Sequence, residues 1–436
     1  MKRQLLEQLI AWKDSKFRKP LIIQGSRQVG KTYLLKEFGA KNYKNTAYFN
    51  FEKDQNLTGL FDGKLEPKLL VEKLSTYSER KINPLDTLII FDEIQNSDRA
   101  LNSLKYFCED APEYHIVSAG SLLGVKLKHQ TSFPVGKINF LKLYPMNFLE
   151  FLSAAGRSLL LEHLLNVKKT TSIQEVFHKE LLELLKIYLF LGGMPEVISC
   201  YLESKDLNLA RDRQREILNS YLLDFAKYAA PEEVVKITNV WDTIPGNLAK
   251  ENKKFIFSAI SKSARAREYE LAIQWLVDAG LVYKCKNISH VGIPLGAYSE
   301  KSIFKIYLLD VGLLGCMMNL GPKTVISGSN MFIEFKGSMT ENFVAQELIN
   351  KGLNIYYWTS LGSAEVDFLV EADNQVLPIE VKAGNSAKKK SLLEYGKKYP
   401  DSLLSRITTM NLKSEANLIN YPLYGISLFP ELTLSK

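Results

Sequence analysis

Residues 25–32 read Gly25-Ser26-Arg27-Gln28-Val29-Gly30-Lys31-Thr32, a full G-x-x-x-x-G-K-[ST] phosphate-binding loop. The apolar run before it, Pro20-Leu21-Ile22-Ile23-Gln24, predicts a buried strand, and Tyr33-Leu34-Leu35-Lys36-Glu37-Phe38 after it predicts a helix. In a strand–loop–helix of this kind the glycines let the backbone wrap a phosphate. The N–H groups at the helix start then point at that phosphate. The expected nucleotide cradle is Gly25, Ser26, Arg27, Gln28, Val29, Gly30, Lys31, Thr32 and Tyr33. Lys31 is expected to reach the β- and γ-phosphates, and Thr32 to hold Mg²⁺.

Outward from the loop, apolar strands alternate with helical segments, the pattern of a parallel α/β sheet. The expected strands are Thr46–Glu52, Thr87–Glu93, His115–Ser121 and Ile138–Leu143. The second strand of this set, Thr87–Glu93, matters most. Leu88-Ile89-Ile90-Phe91 runs into Asp92-Glu93, two acids at a strand end. Asp92 is expected to help hold Mg²⁺, and Glu93 to orient and polarise an attacking water. Ser118 and Ser121 end the next strand; they either contact the γ-phosphate or cap the helix that follows. Arg265 and Arg267 are candidates for a charge-stabilising arginine, with a solvated helix face as the competing reading.

The 436 residues are too many for one simple core, so several domains are expected. Residues 146–230 have helical period, broken by Gly192-Gly193-Met194-Pro195. Residues 231–325 carry short helices and a strand pair around Leu281–Lys284 and Phe304–Tyr307, which suits a winged helix. No apolar run is long enough to span a membrane, and the first residues, Met1–Glu7, predict the start of an amphipathic helix rather than a signal peptide. The four cysteines lie far apart without a C-x-x-C pair, which argues against zinc and a disulfide framework and for a reducing cytoplasm. The net charge of +8 permits a nucleic-acid partner without requiring one.

A second candidate site lies near the end of the chain. Glu365–Glu371 alternates as a half-buried strand, Ala372–Gln375 is a turn, and Val376–Lys382 is a second strand. Glu380 and Lys382 are two residues apart and share a face. A hairpin brings Asp367 beside Glu380, and Glu341 on a helix over Met339–Leu348 completes a carboxylate cluster. Such acids repel unless a cation sits among them, so Glu341, Asp367 and Glu380 are expected metal ligands. Lys382 would help position or deprotonate water against a phosphodiester, making Asp367, Glu380 and Lys382 a catalytic set. The E-x-K element alone is weak: it recurs at Glu66, Glu79, Glu203, Glu251 and Glu334.

Together these stretches resemble prokaryotic AAA-type P-loop ATPases that carry a C-terminal domain of unknown function similar to PD-(D/E)xK nucleases. The likeness rests on the phosphate loop, Phe91–Gln95, Leu143-Tyr144-Pro145-Met146-Asn147-Phe148, Gly192–Glu196, Lys305–Leu314 and Pro378–Lys382. The resemblance implies an α/β fold in four parts. These are an ATPase core over 1–165, a helical lid over 166–230, a winged-helix-like domain over 231–325 and a restriction-endonuclease-like domain over 326–436. It implies ATP as the nucleotide. It leaves two readings of the whole: an ATPase coupled to DNA binding or cleavage, or an ATPase switch whose nuclease-like part is inert and binds a protein partner. Self-association also fits the resemblance. No Pro-Asp pair precedes Asp367, a departure from the nuclease pattern.

Overall fold

The computed structural model describes residues 1–121, 123–127, 136–169, 171–250, 254–262, 264–326, 333–360, 364–383 and 390–434. The chain divides into two compact units. One comprises Lys2–Tyr144 with Asp278–Gly280; the other comprises Pro145–Val277 and Leu281–Lys436, with Met1.

The first unit is built on five parallel strands: β1 (Leu21–Gln24), β2 (Asn45–Asn50), β3 (Thr87–Asp92), β4 (His115–Gly120) and β5 (Asn139–Lys142). Their order is β2-β3-β4-β1-β5. Every residue of β3 and β4 is buried, which is why these strands read as unbroken apolar runs rather than alternating ones. The strand that intervenes in sequence between the loop strand and the acidic strand, β2, lies at the sheet edge. In space β4 separates them. Phe51, Phe61 and Phe91 pack tilted or edge-on, with centroids 5.6 to 5.8 Å apart. Such pairs add roughly 0.5–1.5 kcal/mol each beyond their buried area. They anchor the β3 end that carries the acids.

The second unit begins with helices, as the periodicity predicts: Phe148–Ala154, Ser158–Leu165, Glu175–Leu191, Pro195–Ser204 and Leu207–Tyr228. Its sheet contains β6 (Val282–Ile288), β7 (Ser299–Leu308), β8 (Tyr356–Thr359), β9 (Glu365–Ala372), β10 (Gln375–Val381), β11 (Leu404–Thr408), β12 (Lys413–Glu415) and β13 (Leu418–Pro422). The order is β12-β13-β11-β10-β9-β8-β6-β7. The strand pair expected in the middle of the chain forms as the β6–β7 hairpin. Through the parallel pairing of β6 with β8 it continues the same sheet as the C-terminal strands. The β9–β10 hairpin turns at Asp373 and Asn374, with φ of 48° and 57°. Asp and Asn tolerate this left-handed conformation, and two such residues suit the twist of a tight hairpin.

Three of the motifs quoted above meet in a buried polar knot within this unit. Met146 N donates to Gly193 O at 2.7 Å, and Tyr188 Oη donates to Met146 O. Gly193 N donates to Asp310 Oδ2 at 2.5 Å, while Leu313 N donates to Asp310 Oδ1 at 2.9 Å, so Asp310 caps the helix Val311–Met317. From the helix Ile333–Asn350, Gln346 accepts from Val311 N at 3.0 Å and donates to Tyr188 Oη at 2.9 Å. Glu347 accepts from Phe148 N at 2.9 Å. Burial pushes the Glu347 carboxyl up to about 8 and that of Asp310 up to about 6, the latter against the pull of the N–H groups of Gly193, Leu313 and Gly312.

Candidate functional site

The phosphate loop joins β1 to the helix Lys31–Asn42. Gly30 takes φ of 92°, a left-handed turn that starts the helix without a Cβ penalty. At Gly25 the requirement is close approach, because a Cβ there would stand 2.3 Å from Leu143 O on the neighbouring segment. Lys31 is buried, and its ammonium donates to Gly25 O at 2.9 Å and Ser26 O at 2.7 Å. Burial depresses its pKa to about 8, against the raising influence of Glu93 and Asp92. Tyr33 is exposed, and Arg27 pairs with Glu52 at 3.6 Å.

The two expected metal holders meet directly. Thr32 Oγ1 donates to Asp92 Oδ2 at 2.8 Å, and Asp92 is buried. The same oxygen accepts from Tyr48 Oη at 2.7 Å and Asn50 Nδ2 at 3.3 Å. Both partners come from β2, where Asn50 pairs in register with Asp92. A threonine hydroxyl turned onto a buried carboxylate, beside a lysine, is a donor set that suits Mg²⁺ and phosphate oxygens.

Glu93 follows with φ of 52°, an uncommon conformation for a residue with a side chain and one that marks constrained functional sites. Its Oε2 accepts from the Gln95 side-chain amide and from Ser121 Oγ, the latter at 3.1 Å. Ser121 thus bonds the acid, a contact that neither serine reading named, while Ser118 is fully buried and its hydroxyl has no partner. Arg265 and Arg267 are exposed in the other unit.

Sequence reasoning missed Arg3. Its guanidinium donates to Val29 O inside the loop at 2.7 Å and to Tyr144 O at 2.6 Å. It therefore splints the loop to the segment after β5. Arg3→Ala is expected to raise the KM for ATP about tenfold with a smaller change in kcat, since two charged hydrogen bonds worth roughly 1.5–3 kcal/mol each are lost from the loop's support. Arg3→Lys should recover only part, because an ammonium lacks the fork. Steady-state kinetics checks this; an unchanged KM in Arg3→Ala would remove Arg3 from the site.

In the second unit, the β9–β10 register carries the C-terminal candidates. Ile379 pairs with Phe368, so Glu380 and Asp367 are the next positions along the two strands. Lys382 Nζ lies 3.1 Å from Glu380 Oε1, and Val381 N donates to Asp367 Oδ2 at 2.7 Å. Glu341, on the helix Ile333–Asn350, accepts from Tyr307 Oη at 3.2 Å. Burial opposes the charge of Lys382, but Asp367, Glu380 and Glu341 outweigh it and raise its pKa. Lys382 thus lies beside Glu380 and within electrostatic reach of Asp367 and Glu341, while no three acids among the described residues stand close enough to hold a metal ion together. Glu380 Oε2 is buried without a partner. Sequence reasoning missed Lys305 on β7, whose fully buried ammonium lies 2.6 Å from Glu365 Oε1 and 4.0 Å from Glu341 Oε2.

A β1–loop–helix with its acidic strand one position beyond β4 is the arrangement of a P-loop nucleotide-binding fold. Residues 17–152 match the family model described as AAA domain, and the N-terminal unit is an AAA-type ATPase domain. Residues 182–324 and 336–424 match two further models, each described as a domain of unknown function (DUF8612 and DUF4143). No curated protein matches the chain in sequence. Among solved structures, the chain is similar to the Walker-type ATPase PABY2304 of Pyrococcus abyssi, at 16% identity over 73% of this chain and 95% of that one, with a TM-score of 0.43. It is also similar to the Orc1 protein of Aeropyrum pernix in complex with DNA, at 12% identity over 73% and 91%, with a TM-score of 0.29. No described helix is long and apolar enough to cross a membrane.

Proposed function

We propose that this protein binds ATP with Mg²⁺ at Gly25–Tyr33 and hydrolyses it. The observation that carries the reading is the Thr32–Asp92 hydrogen bond at 2.8 Å, which sets the two metal holders beside Lys31. Mg²⁺ would neutralise phosphate charge there, held by Thr32 and Asp92. Lys31 exchanges its loop carbonyls for phosphate oxygens. Glu93 takes a proton from the attacking water once Gln95 and Ser121 release it. ATP turnover is expected with Mg²⁺ and is expected to vanish with EDTA or in Lys31→Ala; turnover that survives both would refute the reading.

The helical segment 166–230 is proposed as a lid, 231–325 as the winged-helix-like part and 326–436 as the nuclease-like part. Their proposed partners are DNA or a protein. Four unpaired cysteines support a reducing cytoplasmic setting. For the last part, the facing of Asp367 and Glu380 with Lys382 supports nucleic-acid binding or cleavage. Lys305 favours the second reading, an inert domain driven as a switch. Incubation with single- and double-stranded DNA and Mg²⁺ or Mn²⁺ separates them. Cleavage lost in Asp367→Ala and Lys382→Ala supports the nuclease; no cleavage with normal ATP turnover supports the switch.

A further inference from the structure

The C-terminal centre holds more acid than its hairpin supplies. Glu341, Glu365, Asp367 and Glu380 come from the helix Ile333–Asn350, β9 and β10, and all but Glu365 are buried. Acids gathered away from water repel unless a cation lies among them. Among the described residues, however, no three His, Cys, Asp or Glu side chains stand close enough to hold a metal ion together.

What lies among them is an ammonium. Lys305 sits on β7, opposite Cys285 of β6, with its side chain wholly buried. Its Nζ reaches Glu365 Oε1 at 2.6 Å and Glu341 Oε2 at 4.0 Å, and lies 4.8 Å from the centre of the Tyr357 ring. Two residues further along the same face, Tyr307 Oη donates to the same Glu341 oxygen at 3.2 Å. Lys382 supplies a second positive charge, against Glu380 Oε1 at 3.1 Å. We propose that Lys305 is the resident cation of this centre, standing against Glu341 and Glu365 where a divalent ion would otherwise stand, so that the centre is assembled without metal.

The physical ground is that a lysine stripped of water keeps its charge only where carboxylates compensate it, and that a fixed ammonium repels a second cation brought to the same acids. Glu341 is thereby committed to Lys305 and Tyr307. The partnerless Glu380 Oε2 is the place left where an incoming ion would have to bind. The inference concerns this centre alone and stands independently of ATP hydrolysis. If it holds, the inert reading of the C-terminal part gains over cleavage.

The test titrates Mn²⁺ into the full chain without nucleotide. Free Mn²⁺ is read by electron paramagnetic resonance, and the melting temperature is recorded in parallel. Wild type and Glu380→Gln are expected to give superimposable binding curves. Lys305→Met is expected to melt at a lower temperature without metal and to recover with Mn²⁺, which then takes the vacated place. The inference is overturned if wild type binds an equivalent of Mn²⁺ that Glu380→Gln abolishes, or if Lys305→Met melts with wild type in the absence of metal. Should Lys305→Met not fold, the comparison of wild type with Glu380→Gln decides alone.

Discussion

Glu93→Gln is expected to bind ATP as wild type does and to hydrolyse it about a hundred- to ten-thousand-fold more slowly, the range in which removal of a general base falls. The substitution keeps shape and removes the capacity to take a proton. It also keeps the local structure. A carboxamide oxygen still accepts from Ser121 Oγ and the Gln95 amide, as Glu93 Oε2 does. The backbone at φ of 52° makes no demand on the charge. Asp92, which holds Thr32, Tyr48 and Asn50, is untouched. Binding and chemistry therefore separate at this one position. Equilibrium binding of a labelled nucleotide checks the first, and saturating-substrate turnover checks the second. Turnover within a factor of about ten of wild type would take the base assignment away from Glu93.

The parts of this site that are close in sequence were legible there. The loop is contiguous, and Asp92-Glu93 ends an apolar strand whose burial on both faces suppresses any alternation. The β9–β10 hairpin was also legible, from two strand-like runs about the Asp373-Asn374 turn, although each strand buries five consecutive residues instead of the half-buried alternation expected of Glu365–Glu371. What was not legible is what register and tertiary packing supply. Tyr48 and Asn50 serve Asp92 only because β2 lies parallel to β3 with Asn50 opposite Asp92. Arg3 reaches carbonyls at positions 29 and 144 that no local pattern connects to it. Lys305 read as one residue of an apolar strand motif; its role depends on the β6–β8 pairing that carries the β6–β7 hairpin into the C-terminal sheet. That pairing is parallel and distant in sequence, so nothing short-range announces it. The same gap explains why the strand pair around Leu281–Lys284 and Phe304–Tyr307 was legible while its pairing with β8 was not.

Gly192 shows how large an effect such a distant partner has. It ends the helix Glu175–Leu191 with φ of 72° and ψ of −164°, a conformation that is essentially glycine's alone. A Cβ there would stand 2.0 Å from Asp310 Oδ1. Gly192→Ala therefore carries two penalties, backbone strain of about 1–3 kcal/mol and the displacement of a buried carboxylate. Displacing Asp310 removes the acceptor for Gly193 N and the cap on Leu313 N. A buried N–H left without an acceptor costs about 1–3 kcal/mol, and a lost cap about 0.5–2 kcal/mol. Gly192→Ala is accordingly expected to destabilise the second unit by roughly 3–5 kcal/mol, near the upper end for a single substitution. Asp310→Ala alone should cost about 2–5 kcal/mol through the orphaned donors. The double variant is the sharper measurement. With the carboxylate gone the clash is relieved and only the strain at residue 192 remains, so the double variant should lose clearly less than the sum of the two singles, by more than the ~0.5 kcal/mol scatter of independent sites. Urea unfolding, followed by a probe in the second unit so that the ATPase unit does not contribute, reads all three. Strict additivity would mean that Gly192 is required for its backbone alone and that Asp310 does not set its identity.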